Sequence, residues 1–218
     1  MNTRAQTRPE AAAAGSANPA YQAMSYSFPG LQGLSQAAVK THLELYEGYV
    51  KEANEISRVL SDTSSYSAVT EAVHARESLA RRLAFELSGV RLHELFFEQL
   101  DAERESATPG HDTGFMGCLA ACFGGFNNWV EDIKLLGKTR GPGWVASYWD
   151  QGTGRINNLW IDLHQLAVPA AQRVVFVLDL WEHAYWDDYG AKGRPSYIAD
   201  VLRQCDWTVV DQRMDPGN

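Results

Sequence analysis

Cysteine is scarce in this chain of 218 residues: there are three, Cys118, Cys122 and Cys205. They form no even framework and no Cys-x-x-Cys pair, which excludes a disulfide-stapled scaffold and fits a reducing, cytoplasmic setting. Cys118 and Cys122, one helical turn apart, are expected in the core. Long apolar runs are missing too. None reaches the roughly 18 residues that a membrane span requires, so no membrane partner is expected. Basic residues are outnumbered, 19 against 27 acidic, for a formal net charge of -8. No Lys/Arg-rich face stands out, which argues against nucleic acid as a partner. Also absent are a Gly-x-Ser-x-Gly elbow, a phosphate loop, a His-Glu-x-x-His pair and a full dinucleotide fingerprint. Hydrolase, kinase and nicotinamide-enzyme readings therefore have no support. The first twenty residues lack the apolar centre of a secretory signal. They are rich in Ala, Thr and Pro and read as a disordered tail, with an organellar transit peptide as the other reading of that composition.

What is present is core material: 45% of residues are hydrophobic and 11% aromatic, enough for one large domain or two packed lobes. From Ser35, a plausible N-cap, to about Leu60, the residues Val39, Leu43, Tyr46, Val50, Ile56 and Leu60 recur at helical spacing. A second helical region is predicted over about Ser67 to Glu105, interrupted near Ser88-Gly89 where the backbone bends most cheaply. The two would form an antiparallel hairpin that turns Thr41, His42 and Tyr49 toward His93. Ala107-Thr108-Pro109-Gly110 marks a boundary. Beyond it, Phe115 to Cys122 and Phe126 to Leu136 read as helices. Trp144 to Trp149, Asn158 to Leu163 and Val174 to Leu180 read as strands rich in β-branched and aromatic residues, and Pro195 opens a last helix. The expected class is α+β: a helical hairpin, then a three-stranded antiparallel sheet with flanking helices. The expected division is a tail over 1–24, a hairpin domain over 25–108 and a metal-binding domain over 109–213.

The most informative stretch is Leu178-Asp179-Leu180-Trp181-Glu182-His183-Ala184-Tyr185. Residues four apart share a face in a strand and in a helix, so Asp179 and His183 converge where one gives way to the other. A carboxylate oxygen with an imidazole nitrogen suits iron or manganese; the plainer reading is a capping Asp near a satisfied His. The segment resembles the Asp-x-Trp-Glu-His-Ala-Tyr signature of the iron/manganese superoxide dismutases. Gly89-Val90-Arg91-Leu92-His93-Glu94-Leu95-Phe96-Phe97 resembles that family's Gly-x-x-x-His-x-x-Phe-Trp. Phe123-Gly124-Gly125-Phe126, Gly141-Pro142-Gly143-Trp144 and Asp206-Trp207 resemble further blocks in the family's order, so the likeness runs over roughly residues 25 to 210.

The resemblance implies His93, Asp179 and His183 as ligands of iron or manganese. It implies His164 as the group that hydrogen-bonds metal-bound water, with Gly89 at the family's other, vacant position for that role. Tyr49 would be the substrate gate, Trp144 and Trp181 cavity walls, and Glu182 an acceptor reaching the ligand His of a second copy in a homodimer. Each has a plainer reading: a strand-end His held by backbone, core aromatics, a solvated Glu at a helix start. His74 and His111 match nothing and are expected at the surface.

One departure matters. The family's first helix reads His-x-x-x-His-His-x-x-Tyr-Val, and aligning its Tyr-Val on Tyr49-Val50 puts Thr41 at the ligand position. Leu45 and Tyr46 then stand where two further histidines belong, and His42 falls one residue late. One residue turns a helix position by about 100 degrees, so His42 is expected to coordinate only through a shifted or bulged helix. Without it, His93, Asp179 and His183 form a two-His-one-carboxylate triad with open positions. Three functions follow: dismutation of superoxide; a diverged non-heme oxidase or oxygenase acting on O2 and a small organic substrate; and a metal-free structural homologue.

Overall fold

The computed structural model describes residues 20–62, 70–103, 108–110 and 113–215. The greater part of the expected tail, residues 1–19, lies outside the described residues, as do His111 and the segment 63–69 between the first two helices. The elements are α1 Gln36–Ser61, α2 Thr70–Glu98, α3 Gly114–Phe123, α4 Phe126–Leu136, β1 Gly143–Asp150, β2 Arg155–Asp162, β3 Arg173–Asp179, α5 Glu182–Tyr189, α6 Arg194–Arg203 and α7 Trp207–Gln212. The α+β class is as expected. α6 is not the last helix, because Asp206 caps a further one by accepting from Thr208 N at 3.0 Å.

α1 begins where Ser35 Oγ accepts from Ala38 N at 3.2 Å, satisfying one of the first-turn amides that a helix leaves unpaired. Its buried residues are Ala38, His42, Tyr46, Val50, Ala53 and Ile56, a stripe at steps of three and four that faces α2. α2 corrects the expected break at Ser88-Gly89: the helix is continuous there. A glycine inside a helix costs about 1 kcal/mol in propensity, which packing offsets. A Cβ at Gly89 would lie 3.0 Å from the Tyr49 ring, so the glycine serves close approach rather than a bend. With Tyr49 opposite Gly89, the antiparallel hairpin runs in register. Tyr46 Oη donates to Glu94 Oε1 at 2.9 Å, and the rings of His42 and Phe96 lie 5.6 Å apart.

The sheet has the order β2-β1-β3, both pairs antiparallel. Residues 143–148 of the central strand are all buried, because helices cover both faces of the sheet and the usual in-out alternation is lost. Trp129 lies fully buried between Phe115, Phe176 and Trp207, with ring centroids 5.1 to 5.8 Å away. Its indole N–H is 3.0 Å from Asn158 Oδ1 and 3.1 Å from Ser147 Oγ. Cys118 and Cys122, both on α3, are half-buried rather than fully in the core. α3 ends at Gly124 with φ of 77°, the left-handed turn that glycine takes without a steric penalty.

Two polar residues, the buried Gln99 and the half-buried Arg213, join the hairpin to the sheet. Gln99, just past α2, exchanges hydrogen bonds with the backbone of Val177. Arg213 donates to Leu95 O at 2.7 Å and to Val175 O at 3.1 Å, and pairs with Glu98 at 3.2 Å. These fix the end of α2 against β3, and with it His93 against Asp179.

Candidate metal centre

Asp179 is the last residue of β3 and fully buried. Its Oδ1 accepts from Trp181 N at 2.9 Å, which turns the chain into α5 and leaves Oδ2 facing inward. Around Oδ2 stand His42 Nε2 at 3.1 Å, His183 Nε2 at 3.2 Å and His93 Nε2 at 3.6 Å. One donor atom from each of the four residues lies within 4.8 Å of all the others. Burial works against the Asp179 charge, but His183 and His42, by charge and hydrogen bond, outweigh it and hold the carboxyl well below its usual range. Burial pushes His93 and His42 down, more than Asp179 lifts them, so both rings are neutral near pH 7.

The cluster fits a cation. His93 Nδ1 lies 2.7 Å from Gly89 O; a carbonyl only accepts, so the ring proton sits on Nδ1 and Nε2 carries a bare lone pair. That Nε2 is buried with no hydrogen-bond partner and points at a carboxylate oxygen. Two lone pairs face to face in a buried site are unfavourable unless a positive centre lies between them. Three imidazole nitrogens and one carboxylate oxygen suit iron, manganese or zinc by donor type.

His42 is the main correction. It was expected to point away without a bulge, yet α1 is an unbroken α-helix and His42 is buried in the cluster while Thr41 is exposed. The reason lies in the count of residues. Seven residues along a regular helix return to within about 20 degrees of the same direction, so His42 and Tyr49 share a face. The eight-residue interval from Thr41 turns about 80 degrees away. Leu45 is 37% exposed and stands outside the cluster.

The remaining expected residues form one wall. Trp144, opposite Asp179 in the β1–β3 register, is fully buried, and its indole N–H donates to His164 Nδ1 at 2.9 Å. An indole only donates, so the His164 proton resides on Nε2, 3.0 Å from Tyr49 Oη. Tyr49 accepts it and keeps its own hydroxyl proton free to donate elsewhere. Burial moves both groups, His164 down to about 4 and Tyr49 up to about 12, so both are neutral over the physiological range. Trp181 stacks on His164 at 4.6 Å, and its N–H reaches Leu163 O at 3.3 Å. Leu163 itself sits at φ of 55°, a left-handed turn that costs a branched side chain about 1 kcal/mol or more and that leads directly into His164. Glu182 lies outside this wall, exposed on the first turn of α5 beside His183. His74 is exposed, as expected.

Phe85 escaped the sequence reading. Its ring packs 4.5 Å from His164 and 6.0 Å from Tyr49. The available signal was its position four residues before Gly89, on the side of α2 that approaches α1.

Residues 113–213 match the C-terminal domain of the iron/manganese superoxide dismutases. Over that region the chain resembles this family. A superoxide dismutase named as an iron enzyme, from Methanothermobacter marburgensis, is 28% identical over 84% of this chain and 88% of its own length. One of the same name from Aquifex pyrophilus is 29% identical over 85% and 86%, and one named as a manganese enzyme, from Haloferax volcanii, is 23% identical over 84% and 88%. The matches to these superoxide dismutases extend well beyond the C-terminal domain, over a share of the chain that the domain alone could not supply.

Proposed function

We propose that this protein is an oxidoreductase that dismutes superoxide at an iron or manganese ion held by His42, His93, His183 and Asp179. The observation that carries the reading is the bare, buried Nε2 of His93 aimed at Asp179 within a cluster of four donors. The bound ion would supply redox chemistry, taking one electron from a first superoxide and giving it to a second, so that two superoxide ions and two protons become O2 and hydrogen peroxide. Asp179 supplies the one anionic ligand. The His93 and His42 rings, kept neutral by burial, offer lone pairs rather than competing positive charge. Trp144, Trp181 and Phe85 keep bulk water from the cavity, and His164 orients Tyr49 so that its hydroxyl proton can be given to the reduced product. A cleft of about 530 Å³ lined by Arg140, Trp181, Glu182, His183 and Arg194 adds local positive charge on an acidic chain, which favours entry of an anion.

The oxygenase alternative drew on an open triad, and the presence of His42 among the donors removes that ground. A metal-free role leaves the His93 lone pair unexplained. We further propose a homodimer in the cytoplasm. Glu182 and the 45% exposed Trp186, one turn apart on α5, would meet a second copy, with Glu182 accepting from that copy's His183. Among the described residues no helix is long and apolar enough to cross a membrane. The test is metal analysis of protein purified without added metal, paired with superoxide decay by stopped flow. One iron or manganese per chain with decay well above background supports the reading; bound metal with no decay refutes it.

A further inference from the structure

Three tyrosines form a continuous line away from the metal centre. Tyr185 stands two residues beyond His183 on α5, and both line the same cleft. Its ring lies 5.6 Å from that of Tyr197 on α6, which lies 5.7 Å from that of Tyr189 at the end of α5. Tyr197 is fully buried and near enough to Asp179 for that charge to act on its phenol. The line ends at a well-defined contact. Tyr189 Oη donates to Asp200 Oδ2 at 2.7 Å, while Arg203 holds Oδ1 of the same carboxylate at 2.6 Å, a charge-assisted arrangement on both sides. Gly33 packs against it: a Cβ there would stand 1.9 Å from the hydroxyl and 2.8 Å from Asp200 Oδ2, so no side chain fits. The three rings differ in what losing an electron costs. A tyrosine that gives up an electron becomes a strong acid at its hydroxyl, so it is oxidised readily only where a base stands ready for the proton. Tyr185 carries the Arg194 guanidinium 5.3 Å from its ring centre, and a nearby cation opposes loss of an electron. Tyr197 Oη has no hydrogen-bond partner to take its proton. Tyr189 has Asp200.

We propose that this line carries an oxidising equivalent from the metal centre to the Tyr189–Asp200 pair, which makes Tyr189 the site of one-electron oxidation when hydrogen peroxide reacts at the reduced ion. The inference rests on the bound ion of the dismutase reading and not on dismutation itself. Reduction of hydrogen peroxide to two waters takes two electrons and two protons. One electron comes from the ion and the other from Tyr189, through Tyr197 and Tyr185; both protons come from solvent. The Tyr189 O–H bond breaks, its proton passes to Asp200, and a neutral phenoxyl radical remains on a half-buried side chain. A one-electron reductant from solvent, such as ascorbate, returns the electron, and Asp200 returns the proton. Without this outlet the oxidising equivalent falls on Trp181, whose ring stacks 5.7 Å from His183.

The test uses the full chain loaded with iron, reduced without oxygen, mixed with hydrogen peroxide and frozen rapidly for electron paramagnetic resonance. The wild type should give a tyrosyl signal that ring-deuterated tyrosine narrows. Tyr189→Phe removes the phenol, and Asp200→Asn keeps an acceptor but not a base; each should lower the signal roughly tenfold or more, with metal content and superoxide decay unchanged. Peptide mass spectra should show Trp181 oxidised in Tyr189→Phe and largely spared in the wild type. No tyrosyl signal in the wild type, a signal that survives both variants, or equal Trp181 oxidation in wild type and Tyr189→Phe overturns the proposal. Should Tyr189→Phe lose its metal, Asp200→Asn decides. A wild type that gives the radical but no superoxide decay refutes dismutation and leaves this path standing; a chain that holds no metal overturns both.

Discussion

The two halves of the site are built in different ways. Asp179 and His183 come from one continuous stretch in which β3 passes into α5, held by a single local contact from Trp181 N to Asp179 Oδ1. His42 and His93 come from two long helices, and they meet Asp179 only because α1 and α2 run in register and because Gln99 and Arg213 fix the end of α2 to β3. The first half depends on five consecutive residues, the second on the register of two helices. A local pair tolerates errors in reading; a pair set by register does not, since one residue moves a side chain from the buried face to the solvent.

Five changes would break or sharpen this contrast. Asp179→Ala, in the local half, removes the only anionic ligand and leaves three imidazoles around an uncompensated ion; metal content of the purified variant is expected to fall to background. In the register half, His42→Ala should weaken retention by roughly a hundredfold or more, given that losing even a partner of a ligand costs 10–100-fold. Thr41→His should change nothing, because position 41 faces solvent. Metal titration against a competing chelator separates these outcomes, and the reverse pattern would mean that α1 is bulged.

The fourth change concerns pH. His164 titrates at about 4 in the fold against an ordinary value of 6.5, so below 6.5 the unfolded chain binds a proton that the folded chain does not. The stability that His164 contributes is complete above that value and is lost as pH falls toward 4, by about 3 kcal/mol. Denaturant titrations of metal-depleted protein should show His164→Gln flattening this part of the curve. The last change, Glu182→Ala, acts on assembly. A charge-assisted hydrogen bond contributes about 1.5 to 3 kcal/mol and a two-fold dimer makes it twice, so the loss of both should raise the dimer dissociation constant by roughly a hundredfold or more, read by sedimentation. A wild type that is monomeric at micromolar concentration contradicts the assembly.

How much of this was legible follows the same division. The strands, α3, α4 and the Asp179–His183 pair could be read because their signals are local: β-branched runs, a Gly-Gly stop and an i, i+4 pair. The N-cap at Ser35 was legible for the same reason. The continuity of α2 through Gly89 was not, because the glycine answers to Tyr49 on another helix. Nor was the place of His42, which is set by its seven-residue separation from Tyr49 around an unbroken helix and not by the eight-residue spacing of the family's motif. Phe85 and the Tyr46–Glu94 hydrogen bond gave no local signal at all; each exists only once the hairpin is in register.

The most direct test of the central claim, that both halves supply ligands to one ion, is a crystal structure of the native protein with anomalous diffraction recorded at the iron and manganese edges. The account predicts a single peak within coordination distance of Nε2 of His42, His93 and His183 and of Oδ2 of Asp179. A peak bound by His93, Asp179 and His183 with His42 turned away would contradict it.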